Sequence, residues 1–145
     1  MPDIVWSHFR RLGDIRRLEQ AAGVEIKLID ETYQPETRRE YSMKVIRECR
    51  AKPGKSMILF LDPDTGLAGK NVKPEHVTAE EVARYWDVLE FSDWLVLYQH
   101  SNREKNWLSN KEKAFSASIG AAVGMEVFRA TSGAKDVAFI CARKQ

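Results

Sequence analysis

Paired glycines, paired cysteines and long apolar runs are what this sequence does without, and each absence removes a class of protein. None of its 8 glycines forms a Gly-x-Gly pair, so the dinucleotide-binding fingerprint is missing. The 2 cysteines, Cys49 and Cys141, lie far apart, which excludes a disulfide framework and Cys-based zinc spacing. No Gly-x-Ser-x-Gly elbow is present. Gly66-Leu-Ala-Gly69-Lys70 fails as a phosphate loop, because the Walker pattern needs four residues between its glycines and a hydroxyl after the lysine. The longest apolar stretches, around Met57–Leu61 and Trp94–Tyr98, are far too short to span a bilayer. Charge of one sign is lacking too: 23 Lys and Arg meet 21 Asp and Glu, for a net +2. Total charge therefore gives no argument for nucleic acid, although a local basic face stays open. No charged-then-apolar leader opens the chain, and a reduced, cytoplasmic setting without membrane contact is expected.

What remains is an ordinary globular composition, 43% hydrophobic and 30% charged over 145 residues, which suits one domain spanning 1–145. Its apolar periodicity alternates. Asp3–Trp6 reads as a short strand, and Phe9, Leu12, Ile15 and Leu18 follow at one-turn spacing until Gly23. Val24–Ile29 is a strand candidate. The stretch from Glu36 to Lys52 places Tyr41, Val45 and Cys49 on one helical face, with Pro53-Gly54 as its stop and its many cations on the wet side. Ser56–Leu61 is a strand. Thr78-Ala-Glu-Glu81 is a capping box that opens a helix burying Val82, Tyr85, Trp86 and Leu89. Trp94–Tyr98 is another buried strand, and Ser101-Asn-Arg-Glu104 is a second capping-box match. Two last strands, 125–130 and 136–142, are joined by a loop short enough for a hairpin. Strands alternating with helices imply a three-layer, Rossmann-like α/β domain: a mainly parallel sheet with helices on both faces and a C-terminal antiparallel hairpin.

In such a sheet ligands bind outside the carboxyl ends of the strands, and polar residues gather at those ends. Ser7 and His8 follow the first strand, and Asp30 and Glu31 the second. Asp62, Asp64 and Thr65 follow the third, and Tyr98, Gln99, His100 and Ser101 the fourth. Asp62-Pro-Asp64-Thr-Gly66 is good turn chemistry by itself. A turn, however, needs one Asp and not two flanking a Pro. Two carboxylates so spaced could share Mg²⁺ with a phosphate, or one could act as a base that the other orients. The candidate catalytic set is Asp62, Asp64 and His100, with Asp62 and Asp64 as the metal pair. Asp30, Tyr98 and Gln99 are candidate substrate contacts, and Arg103 and Lys105 near a helix start would hold an anion, with Lys111 beyond them. His76, beside Lys70 and Lys73, reads as a surface residue.

Two resemblances follow from these motifs. The string FLDPDTGL resembles the first motif of haloacid-dehalogenase-type phosphatases. That resemblance implies Asp62 as nucleophile and Asp64 as acid/base, but the motif sits mid-chain and the later Mg²⁺-holding acidic pair is missing. The second covers more of the chain. LIDETYQPETRREY, LFLDPDTGL, WLVLYQH and EVFRATSGAKDVAFICARK together resemble a family of uncharacterised bacterial and mobile-element proteins with an FLDPDxGL…YQH signature. Its architecture is similar to Rossmann-like methyltransferases, where a strand ends in an Asp-Pro motif at the catalytic rim and an antiparallel hairpin closes the sheet. The resemblance implies a methyltransferase-like or metal-dependent enzyme acting on a nucleotide or nucleic acid. The Gly-rich turn that approaches S-adenosylmethionine is missing, so that cofactor is not expected in the usual mode. A non-catalytic binding or assembly module that kept the fold is the alternative.

Overall fold

The computed structural model of the protein describes residues 15–29, 34–52, 54–102, 104–120, 125–129 and 136–145. Its contacts divide the chain into two compact units, Met1–Glu31 and Thr32–Gln145. The expected first strand with Ser7 and His8, then Asp30, Glu31, Pro53, Arg103 and the 131–135 loop, lie outside the described residues.

Within the first unit, helix α1 (Ile15–Ala22) ends where Gly23 takes φ +64°. The Val24 N–H then reaches back to the Glu19 carbonyl at 3.2 Å, the six-to-one bond of a Schellman stop. The expected strand over Val24–Ile29 does not form. The Ile26 N–H donates to the Glu19 carboxylate at 2.6 Å, and Val24 and Leu28 are exposed. Apolar alternation identifies a segment able to pair, but a ladder also needs a neighbouring strand.

Among the described residues, the second unit carries helices α2 (Arg38–Arg50), α3 (Ala79–Asp87) and α4 (Trp107–Ser118) and six strands. The main sheet runs in the order β1 (Ile58–Leu61), β4 (Trp94–His100), β6 (Val137–Arg143), β5 (Met125–Arg129). β1 pairs with β4 in parallel, and β6 is antiparallel to both β4 and β5. Three strands therefore share one direction, with β6 inserted against them. Only one of the three pairings is parallel, so the sheet is mixed where a mainly parallel one was expected. The hairpin forms as expected, but its second strand enters the sheet instead of extending the edge.

Burial alternates along β4. Leu95, Leu97 and Gln99 are buried, whereas Trp94, Val96, Tyr98 and His100 are half-exposed. On β6, Ala138, Ile140 and Ala142 complete the sealed face, each fully buried. Helix α4 packs against β6 and α3, and α3 against α2. Removing Leu95, Leu97 or Ile140 from water contributes about 1.5–3 kcal/mol each. Among the described residues, the sheet is sealed on one face and half-exposed on the other.

Two charged clusters fix the helices. The Thr78–Glu81 capping box forms in full, and Glu81 is also gripped by Arg38, whose Nε and Nη2 donate to its two oxygens at 2.7 and 2.6 Å. Arg38 Nη2 also donates to the His76 carbonyl at 2.7 Å. Arg38 was expected on the wet side of α2; it instead ties α2 to Glu81 at the start of α3 and to the His76 backbone ahead of it. The second expected capping box is not made: α4 starts at Asn106 without a side-chain cap. Glu104 accepts instead from the Asn110 side chain, and its N–H donates to Asn102.

The other cluster centres on Asp93, which is fully buried. Its carboxylate accepts from Lys52 and from the Met57 and Glu90 N–H groups at 2.9 and 2.8 Å. The end of α2 is thereby bound to the starts of β1 and β4, where the Trp94 N–H meets the Met57 carbonyl. Burial pushes the Asp93 pKa up, but the Lys52 ammonium and the two N–H donors outweigh it and hold the carboxyl below its usual value. Because the folded pKa lies below the unfolded one, this stabilisation is complete above the ordinary value of 3.8 and is lost as pH falls beneath it. Asp93→Asn should cost about 3 kcal/mol at neutral pH, because Lys52 loses its buried partner and keeps only the exposed Glu90. Urea titrations across the acid range should show a flatter decline in the variant than in wild type; equal slopes would remove Asp93 from the acid response.

Candidate functional site

The Asp-Pro-Asp-Thr-Gly turn is shaped by a residue far along the chain. Gly66 has φ +99°, and a Cβ there would lie 2.4 Å from three side-chain atoms of Gln99. Both facts demand glycine. The Gln99 amide is fully occupied: its Oε1 accepts from the Leu67 N–H at 2.8 Å, and its Nε2 donates to the Thr65 and His100 carbonyls at 2.9 and 2.8 Å. The turn continues into β2 (Gly66–Leu67), which pairs in parallel with β3 (His76–Val77) inside what the sequence presented as a plain loop. Gln99, expected as a substrate contact, thus holds the backbone that follows the two aspartates.

Tyr98 and His100 stand on the other face of β4. The Tyr98 hydroxyl and His100 Nε2 are 2.9 Å apart, with the rings edge to face. His100 Nδ1 lies 3.7 Å from the Asp136 carboxylate, which sits just ahead of β6, where the Asp136 carbonyl also accepts from the Ser101 N–H. Carboxylate, imidazole and phenol therefore follow one another across two strands. The register pairs Leu61 with Leu97, so Asp62, one residue on, falls level with Tyr98. Asp62 is exposed at its surface; local loss of water around its carboxyl and then the charge of Asp64 raise its pKa, and His100 opposes the rise. Burial followed by the Asp62 and Asp136 charges raises the Tyr98 pKa, so the phenol keeps its proton. A carboxyl with a raised pKa and an imidazole bonded to a phenol lie close enough to interact electrostatically.

Beside this group, at the carboxyl ends of β1 and β4, is a cavity of about 320 Å³. It is bordered by Thr65 from the turn, His76 from β3, Gln99, His100 and Ser101 from β4 and its end, and Lys111 from α4. The Lys111 ammonium donates to the Leu67 carbonyl, and burial lowers its pKa. The His76 ring is not a free surface group: Nδ1 accepts from the Lys73 N–H at 3.0 Å, so the neutral ring carries its proton on Nε2. Burial lowers its pKa.

The expected residues thus fall into separate roles. Asp62, Tyr98 and His100 come together, with Asp64 close enough to act on Asp62 electrostatically. Gln99 is a framework residue that also borders the cavity, while Lys105 is exposed and away from it. Asp30 and Arg103 lie outside the described residues. Among those residues, no group of three or more His, Cys, Asp or Glu could hold a metal ion, and no helix is long and apolar enough to cross a membrane. Cys49 and Cys141 are buried and neither forms a disulfide. The sequence did not bring forward Asp136, because only the β4–β6 register sets it beside His100. His76, expected at the surface, is half-exposed and borders the cavity; β3 is too short to leave a periodic signal. Comparisons with protein-family models, curated proteins and solved structures returned no match.

Two stability effects of opposite sign follow. Gly66→Ala should lose roughly 2–4 kcal/mol, from the left-handed backbone and the overlap with Gln99; a denaturation midpoint equal to wild type would mean the turn is not held this way. Asp62→Asn should instead raise the melting temperature at neutral pH. A carboxyl whose folded pKa is raised favours the fold when protonated and opposes it when ionised, so the gain should vanish below about pH 4.

Proposed function

We propose that the chain is an α/β enzyme of Rossmann-like, methyltransferase-like architecture that performs acid–base chemistry on a nucleotide or nucleic acid at the carboxyl ends of β1 and β4. The observation that carries this reading is the Asp136–His100–Tyr98 succession, with the Asp62 carboxyl level with the phenol. Asp136 stands 3.7 Å from Nδ1 on one side of the imidazole, and Nε2 meets the Tyr98 hydroxyl on the other, the pair we assign to proton exchange. Asp62, its pKa raised above the ordinary carboxyl value, is the group we assign to hold or release a proton. The Asp62 charge acts on Tyr98, and that of His100 acts on Asp62. The direction of the strands supports the architecture: β1, β4 and β5 run together, β6 runs against them, and the Asp-Pro motif ends β1. The nucleotide substrate class rests on the resemblance stated for the sequence and on that architecture.

The test is product analysis by mass spectrometry, with nucleotides and short DNA and RNA strands as substrates, with and without Mg²⁺ and S-adenosylmethionine. One substrate class should change mass in the presence of wild type, with the rate falling at least about 100-fold in both Asp62→Asn and His100→Gln. Binding without turnover, unaltered in both variants, would establish the binding-module reading instead.

A further inference from the structure

The cavity beside the acid–base group has a chemical character of its own. No Asp or Glu among the described residues borders it, in a chain whose acids nearly equal its cations. Its charged member is Lys111, and two of its edges are histidines. We propose that this cavity is a subsite for a terminal phosphate, carried by a ligand of about mononucleotide size, with Lys111 and the Nε2–H of His76 as its principal donors. The proposal rests on the enzyme reading above and adds to it the group by which the substrate is held.

Four observations converge on an anion. Lys111 has three N–H donors, and its bond to the Leu67 carbonyl fixes the ammonium on the wall while leaving the others available. The same bond ties Lys111 to β2, the strand that Gln99 locks, so the cation sits on a rigid element. Burial disfavours the charged form of Lys111, a cost that an arriving anion relieves. The tautomer of His76 is set by the Lys73 N–H, which makes its other nitrogen a donor at neutral pH. Neutral partners complete the lining, with the hydroxyls of Thr65 and Ser101 and the amide of Asn71. A volume of about 320 Å³ lies at the small end of ligand sites, enough for a phosphate with part of a nucleoside.

Placement supports the same substrate. Ser101 borders the cavity, and its backbone N–H meets the Asp136 carbonyl, so the cavity and the acid–base group share the end of β4. A phosphate anchored at Lys111 therefore leaves the remainder of the ligand beside His100, where the chemistry of the first reading takes place.

Isothermal titration of the full-length protein with adenosine, adenosine 5′-monophosphate, inorganic phosphate and a 5′-phosphorylated oligonucleotide tests the subsite. The monophosphate should bind at least about ten-fold more tightly than the nucleoside, and Lys111→Met should remove most of that difference. Binding of the oligonucleotide only when it carries its 5′-phosphate would support the site and identify the source of the phosphate. His76→Asn keeps an acceptor for Lys73 and deletes the Nε2 donor, so it should weaken the monophosphate about three- to ten-fold without lowering the melting temperature. Equal affinity for nucleoside and monophosphate, or monophosphate binding unchanged in both variants, would overturn the proposal. The two readings separate cleanly. Phosphate-dependent binding with no turnover would sink the enzyme and keep the subsite; turnover with KM unchanged in Lys111→Met would do the reverse.

Discussion

The Gln99 carboxamide lies against a backbone that has no Cβ to obstruct it, and the rest of the site depends on that contact. Its three hydrogen bonds reach Thr65, Leu67 and its own successor His100, which clamps the segment after β1 onto the end of β4. A buried amide must satisfy its donors and acceptor, so the bonds specify one path for the turn. Gly66 is the residue that permits it. Once the turn is fixed, Asp62 is held at the end of β1, Thr65 at the cavity wall, and β2 is available to β3 and Lys111. The Gly of the turn and the Gln of Tyr-Gln-His are one device split across the sequence.

Charged groups do comparable work further away. Arg38 with Glu81, and Lys52 with Asp93, each place a buried carboxylate on several donors. Such pairs repay their desolvation only when the geometry is good and the remaining lone pairs are filled. Here both conditions hold, since backbone N–H groups complete each carboxylate. Their contribution is orientation: one joins α2 to the start of α3, and the other joins the end of α2 to the starts of the two parallel strands. At the end of β6, Lys144 adds a bond to the Trp86 carbonyl and lies over the Trp86 ring at 4.5 Å, securing the last strand to α3.

Strand parity explains why the site has two sides. Successive side chains on β4 face opposite ways, so Tyr98 and His100 share one face while Gln99 takes the other. The polar group of the Tyr-Gln-His string therefore divides its labour: the outer two residues serve the acid–base arrangement, and the middle one holds the turn after β1, with Gln99 and His100 both bordering the cavity. Asp62 joins the outer pair because its register follows from the pairing of Leu61 with Leu97.

The sequence by itself determined the elements whose causes are local. Apolar runs marked β1 and β4, a hydroxyl and a carboxylate three residues apart marked the start of α3, Gly23 marked the stop of α1, and the polar strand ends marked Asp62, Tyr98 and His100. Partners remote in the chain were decided only by the tertiary structure. Val24–Ile29 has the alternation of a strand and pairs with none among the described residues, while β2 and β3 are too short to show a period yet pair. Arg38 looked solvated until Glu81 was brought to it, Asp136 is beside His100 only through the β4–β6 register, and Gly66 is explained by Gln99. Periodicity records which face a residue takes, and composition records what a turn allows. Which two faces meet is fixed by register and packing, since those depend on residues the local sequence does not contain.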